Sequence, residues 1–106
     1  MSEFRVSVLY PNQDGKRFDH GYYLNTHMPL AGRLLKPLRY DVDRGLGGGA
    51  PGAPAPYVAG CHFYYASLAD FQAALVPNIA EIQADIPKYT DILPIIQISE
   101  VVATVG

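Results

Sequence analysis

The 106-residue chain has a single cysteine, few charges and no basic surplus: eight Lys and Arg face ten Asp and Glu, and charged residues make up 17% of it. The lone cysteine, Cys61, excludes an intramolecular disulfide and any cysteine-based zinc site. With a net charge of −2 and bases scattered along the chain, there is no basic stripe to neutralise phosphates and no polybasic anchor. Neither nucleic acid nor a membrane is therefore an expected partner. No stretch approaches the roughly 20 uninterrupted apolar residues of a membrane span. The Met-Ser-Glu-Phe start lacks a charged segment followed by an apolar one, so the chain reads as cytoplasmic. The phosphate-cradling pattern G-x-x-x-x-G-K-[ST] is missing too, although glycine is plentiful.

What is present is bulk. Apolar residues reach 49%, with four Phe and eight Tyr, enough to offset the entropy of ordering a globular core. A length near the ordinary domain size of about 100–150 residues makes 1–106 one domain.

Alternation over Phe4–Tyr10 predicts a strand with Phe4, Val6, Val8 and Tyr10 on one face. A turn at 11–15 follows, and Asp19 is suited to cap a helix because its carboxylate can accept from a first-turn amide. At 100° per residue, His20, Tyr23, Leu24, His27, Leu30, Ala31 and Leu34 share one arc centred near His27. Pro29 lacks an N–H for the Asn25 carbonyl, which predicts a kink or a fresh helical turn right after His27. A second strand is expected over Leu38–Asp43, and a long mobile connection, rich in glycine and proline, over 45–56. The third strand runs from Tyr57 to Tyr65. Ser67-Leu68-Ala69-Asp70 forms a capping box for a second helix, with Leu68, Phe71, Leu75, Ile79 and Ile82 as its buried stripe. Pro77 should bend or restart this helix and Pro87 should end it, before a last strand over Pro94–Val102.

The order βαββαβ is the split-βαβ, ferredoxin-like α+β arrangement: an antiparallel sheet with two helices on one face. The other face is left bare. Leu9 opposes Val8, Tyr64 opposes Phe63 and Val101 opposes Val102, so the strands carry apolar or aromatic groups on both sides. An exposed face of that kind predicts a homodimer formed by packing two sheets.

Four segments, Tyr10-Pro11-Asn12, Phe18-Asp19 with Tyr22-Tyr23, His27-Met28-Pro29-Leu30 and Ala84-Asp85-Ile86-Pro87-Lys88-Tyr89-Thr90, resemble in order the EthD family, named for a protein of ethyl tert-butyl ether degradation. The resemblance implies a dimeric α+β barrel in which each subunit keeps a cleft between sheet and helices. It also implies an oxidoreductase-linked label, since the founding member is encoded beside a cytochrome monooxygenase system. Relatives with the barrel include cofactor-free monooxygenases, polyketide cyclases, lactone isomerases and haem-binding enzymes.

His27 is the leading candidate for chemistry, an imidazole on the helix's inward arc that titrates near neutral pH. The family's His-x-Pro-Leu pattern adds to that reading; the alternative is a core histidine bonded to a backbone carbonyl. Tyr23 lies one turn before it, and Asp19 one turn earlier, a spacing that permits a carboxylate–phenol–imidazole chain unless Asp19 is used as the cap. Tyr22 and Tyr23 are otherwise aromatic packing. His20 with His27 makes a poor metal site, lacking nearby carboxylate or thiolate ligands. Asp85, placed in an irregular segment with Tyr89 and Thr90, can orient a histidine through Nδ1–H or cap a turn. Ser7, His62, Tyr64 and Gln97 form a polar set that lines either the cleft or the seam between sheets, with the seam favoured. Tyr57, Phe63 and Tyr65 would then join Tyr10 in an aromatic cleft, with Asn12 and Tyr89 completing the ligand-binding set. Register decides between the two faces. The 45–56 loop is a candidate lid, and Cys61 a buried small hydrophobe.

Two functions from different classes fit. The first is a cofactor-independent enzyme acting on a hydrophobic or aromatic small molecule, with His27 as general acid or base, Tyr23 or Tyr65 as its hydrogen-bond partner and Asp85 as its orienter. The second is an accessory or carrier protein that holds a hydrophobic intermediate for a monooxygenase system. A third reading makes His27 an axial haem ligand; otherwise no cofactor or metal is expected.

Overall fold

The computed structural model describes residues 2–106 and follows the expected α+β order. Strand β1 (Glu3–Pro11) is followed by a short helix α1 (His20–Tyr22), a π-helical turn (Tyr23–His27) and helix α2 (Met28–Leu35). Strands β2 (Arg39–Arg44) and β3 (Tyr57–Tyr65) precede helix α3 (Leu68–Asp85), a 3-10 turn (Ile86–Lys88) and strand β4 (Ile95–Val101). The four strands pair antiparallel in the order β2-β3-β1-β4. The ferredoxin-like arrangement read from the sequence is thus the fold.

Both caps form. The Asp19 carboxylate accepts from the Tyr22 amide at 3.0 Å, and the Ser67 hydroxyl accepts from the Asp70 amide at 3.1 Å. Asp19 is therefore engaged, and the chain of polar groups imagined through Tyr23 stops short of it. Proline acts differently at the two helices. Before Pro29 the backbone widens into the π turn, in which the Met28 amide reaches back five residues to the Tyr23 carbonyl. This inserted width rotates the inward face. Tyr23 and His27 are buried within it and Met28, Ala31 and Leu35 after it, and Leu24 is 55% exposed despite its place in the expected arc. At Pro77 the expected restart does not occur, and α3 continues through it. The adjacent Asn78 side-chain amide donates to the Ala74 carbonyl at 2.8 Å and to the Leu34 carbonyl at 3.2 Å, tying the proline turn to α2.

Register assigns the two sheet faces. Val6 lies opposite Phe63 and Ile98, and Val8 opposite Cys61 and Ile96, so these side chains share the helix-covered face with Tyr10 and Tyr65. Phe71 closes that core from α3, its ring centroid 5.3 Å from that of Tyr65. Gly32 lets the Tyr40 ring lie against α2, since a Cβ there would come within 2.6 Å of it.

On the opposite face Ser7 pairs with His62 and with Gln97. The polar set of Ser7, His62, Tyr64 and Gln97 thus lies on the face away from the helices, the side favoured for it from the sequence. Ser7 Oγ donates to His62 Nδ1 at 2.7 Å, and His62 Nε2 donates to Asp43 at 2.9 Å. The Tyr64 hydroxyl donates to Asp41 at 3.2 Å, while Arg39 lies over the Tyr64 ring and pairs with Glu3 at 3.0 Å. Alternation fixes which residues share a face, but the polar partners come from β2, whose acidic positions were not placed opposite β3 without the register.

Candidate functional site

A cleft of about 720 Å³ opens between the sheet and the helices, within the range of roughly 300–1,000 Å³ typical of small-molecule sites. Its floor is Val6, Val8, Phe63 and Ile96, and its far wall is Leu75, Ile79 and Ile82 of α3. The cleft is open over the edge strand, where Ile96 and Ile98 are 62% and 48% exposed. Ile79, expected inside the α3 stripe, is 40% exposed because it flanks this opening.

His27 stands at the inner end. Its Nδ1 lies 2.9 Å from Asp85 Oδ2, and Asp85 Oδ1 accepts from the Tyr22 hydroxyl at 2.8 Å. Lys88 Nζ, on the exposed side, is 3.6 Å from the same oxygen. An ionised carboxylate can only accept, so the bond places the imidazole proton on Nδ1 and leaves Nε2 with a free lone pair. Burial would push the Asp85 carboxyl up, but the hydrogen bonds from His27 and Tyr22 outweigh it and hold it below its ordinary value. Burial pulls His27 below its ordinary value of 6.5, and the Asp85 carboxylate opposes this only in part. The result is a neutral imidazole, oriented by an anion, on the wall of an apolar cleft. It is suited to accept a proton and return it.

The π turn explains the choice of tyrosine. Five residues apart on an α-helix are about 140° apart around the axis, which would point Tyr22 away from the face of His27. Widening the turn brings both to Asp85. Tyr23, expected as the hydrogen-bond partner of His27, instead lies with its ring nearly parallel to the imidazole, centroids 6.0 Å apart. Its hydroxyl is buried without a hydrogen-bond partner among the described residues, and burial raises it far above the usual tyrosine range. Tyr65 is not a partner either, since its hydroxyl donates to the Leu35 carbonyl at 2.9 Å. Asp85 is the last residue of α3 rather than part of an irregular segment.

Of the other expected ligand-binding residues, Tyr10 and Phe63 line the cleft. Tyr89 is fully buried behind it, its ring 4.5 Å from that of His27 and its hydroxyl bonded to that of Tyr10. Burial raises Tyr10 to about 12. Tyr65 borders instead a smaller depression of about 340 Å³ between α3 and the segment that follows α2, lined by Lys36, Leu38 and Asp70. Tyr57 and Asn12 lie outside the cleft: Tyr57 is 38% exposed at the strand end, and the Asn12 side chain donates to the Ala55 carbonyl at 3.0 Å. That contact and the bonds from the Asn12 amide to the Pro56 carbonyl and from the Gly45 amide to the Val58 carbonyl hold the 45–56 loop beside the sheet. None of its residues lines the cleft, so it is no lid there. His20 packs on Phe18, centroids 4.8 Å apart. Cys61 is buried, its thiol raised to about 11 by desolvation. Among the described residues no three His, Cys, Asp or Glu are grouped to hold a metal ion, and no helix is long and apolar enough to cross a membrane.

Among the lining residues that the sequence did not point to, Gln83 is the polar one. Gln83 follows Ile79 by four residues on α3 and borders the cleft beside Ile82 and Ile86. The signal was its place on the apolar stripe, a single amide at helical spacing among isoleucines.

Comparison with known proteins gives consistent matches. The EthD domain model matches residues 14–92. An EthD-like protein from Ralstonia eutropha JMP134 is 46% identical, with 97% of this chain and 95% of that chain covered and a TM-score of 0.92. An ethyl tert-butyl ether degradation (EthD) family protein from Bacillus halodurans C-125 is 21% identical, with coverage of 93% and 97% and a TM-score of 0.68. HapK from Hahella chejuensis shares the fold at 16% identity, with 96% of each chain covered and a TM-score of 0.58. No curated protein matches.

Proposed function

The chain belongs to the EthD family, and from that premise we propose that its cleft binds a hydrophobic small molecule and that His27 acts on it as a general acid or base through Nε2. One observation carries the reading: Nδ1 is held by Asp85 at 2.9 Å, and the imidazole so held lines an apolar cleft. Asp85 and Tyr22 are positioning residues, acting through the imidazole. Proton transfer of this kind, as in isomerisation, dehydration or ring closure, balances with His27 alone. A homodimer packed through the open sheet face belongs to the same reading, because Ser7 is already buried there beneath the His62 network.

The test is His27→Asn in a screen of hydrophobic substrates. Loss of turnover with retained ligand binding supports the proposal, and unchanged kcat/KM refutes it. The open apolar side over Ile96 and Ile98 favours a second reading, a carrier that exchanges its ligand with a monooxygenase system. Affinity that depends on Phe63 or Ile82 but not on His27, in a protein inert towards every bound compound, would select it.

A further inference from the structure

We infer that Gln83 is a second polar anchor of the cleft, and that with His27 it selects a neutral, enolisable ketone on an apolar body. The inference rests on His27 acting as the base in this cleft. The other polar side chains around the cavity are already engaged or sealed. The Tyr10 hydroxyl is bonded to Tyr89, the Tyr23 hydroxyl is inaccessible, Cys61 is buried, and His27 Nδ1 belongs to Asp85. The side-chain hydrogen bonds of α3 involve Ser67 at its cap, Asn78 and Asp85, and none engages Gln83, which is exposed towards the opening. Two groups therefore remain to meet a ligand: the Nε2 lone pair of His27 and the amide of Gln83.

Charge narrows the ligand further. Among the described residues no Lys, Arg, Asp or Glu lines the cleft; the Asp85 carboxylate stands behind His27, with Lys88 paired to it on the exposed side. A carboxylate or phosphate would lose its water here with no cation on the lining to meet it, since Lys88 pairs with Asp85 on the exposed side. A ketone incurs no such cost. Its carbonyl oxygen can accept from the Gln83 amide while an adjacent C–H meets Nε2. In the step, Nε2 takes the α-proton, the C–H electron pair becomes the C=C bond, and the carbonyl π pair moves to oxygen, where the amide N–H bonds more strongly to the developing charge. The imidazolium beside Asp85 then returns the proton to carbon. Nothing is oxidised, and no co-reactant is needed.

The experiment uses 2-tetralone, a bicyclic ketone, and tetralin, which has the same rings without the oxygen. Deuterium exchange of the tetralone α-protons is followed by proton NMR in deuterium oxide, with the ring resonances of His27 as a report of binding. The whole protein is expected to accelerate exchange over buffer, and His27→Asn to remove the acceleration. Gln83→Leu is expected to lower kcat/KM about 10- to 100-fold, less than the 10²–10³ of an enclosed oxyanion donor because water reaches the opening. The same variant should bind tetralin as the parent does and lose the lowered carbonyl stretch of bound tetralone. Gln83→Leu with parental exchange and an unshifted stretch overturns the role of Gln83; the His27 reading then stands if His27→Asn is still inactive. Exchange no faster than buffer, with both compounds bound equally, overturns the ketone class. If neither compound moves the His27 resonances, this inference and the cleft reading fall together.

Discussion

Replacing Asp85 with Asn tests the pair on which the site depends, because it keeps the shape and removes the charge. In the parent, Oδ2 accepts from His27 Nδ1–H at 2.9 Å and Oδ1 from the Tyr22 hydroxyl at 2.8 Å. Asparagine has one acceptor oxygen. If it stays with the Tyr22 hydroxyl, the NH2 group faces Nδ1, and the imidazole must move its proton to Nε2 to receive it. The tautomer that can take a proton from the cleft is then lost. The side chains of His27 and Asp85 are 5% and 9% exposed, so solvent screens their bond little, and exchanging a hydrogen bond to a charged group for a neutral one should cost about 1–3 kcal/mol. Urea unfolding near neutral pH measures that loss, and NMR titration of His27 measures the electrostatic part. Without the carboxylate the imidazole should protonate only at still lower pH. The reasoning fails if Asp85→Asn leaves both the unfolding midpoint and the His27 titration where they were.

Acid should weaken the fold through the same two groups. Folded His27 resists a proton that the unfolded chain accepts below about 6.5, and folded Asp85 resists one that the unfolded chain accepts near 3.8. For both, the unfolded state binds more protons, so stability is full above these values and declines as pH falls through them. Urea midpoints across that range should drop on acidification, and His27→Asn should flatten the upper part; a flat parental profile contradicts the assignment. Tyr10→Phe and Tyr89→Phe each strand the partner hydroxyl in the core and should cost about 1–3 kcal/mol, with the double variant losing less than the sum. Strict additivity in that cycle would mean that the two hydroxyls do not interact. Sedimentation equilibrium should give twice the subunit mass, reduced by Ser7→Arg, which puts a charge beneath the His62 network; a monomeric parent removes the sheet-to-sheet dimer.

Much of the architecture was legible because its signals are local. Period-2 alternation bounded by proline and serine set β3 at Tyr57–Tyr65 without error, and Asp19 and Ser67 marked helix starts through side-chain chemistry that needs only three residues. Chemistry offered Asp85 either as the orienter of a histidine or as a turn cap, and only the distant contact with His27 decided between them; its place on α3 was not legible either. Other features needed contacts between distant segments. Pro29 announced a kink or a fresh helical turn right after His27, and α2 does begin at Met28, but the π turn before it, which decided whether Tyr22 or Tyr23 would reach Asp85, was not announced. Pro77 remained inside a helix, and the contact of the next residue, Asn78, with the Leu34 carbonyl of α2 joins segments far apart in the chain. The aromatic face of β3 was read as one surface, yet the helices cover only part of it, leaving Tyr57 outside and Tyr65 under Leu35 while Phe63 alone meets the cleft. The polar set of Ser7, His62, Tyr64 and Gln97 was favoured for the open face, but its partners Asp41, Asp43 and Arg39 were not legible because they meet it only once β2 is set beside β3.

The central claim is that His27 presents an unprotonated Nε2 to a ligand cleft while Asp85 holds Nδ1. Heteronuclear NMR of the histidine rings near neutral pH, before and after addition of tetralin, tests it directly. The account predicts the Nδ1–H tautomer for His27, with ring resonances that move on ligand binding while those of His62, on the other face of the sheet, stay in place. A His27 ring protonated on Nε2, or one indifferent to a ligand that binds, would contradict it.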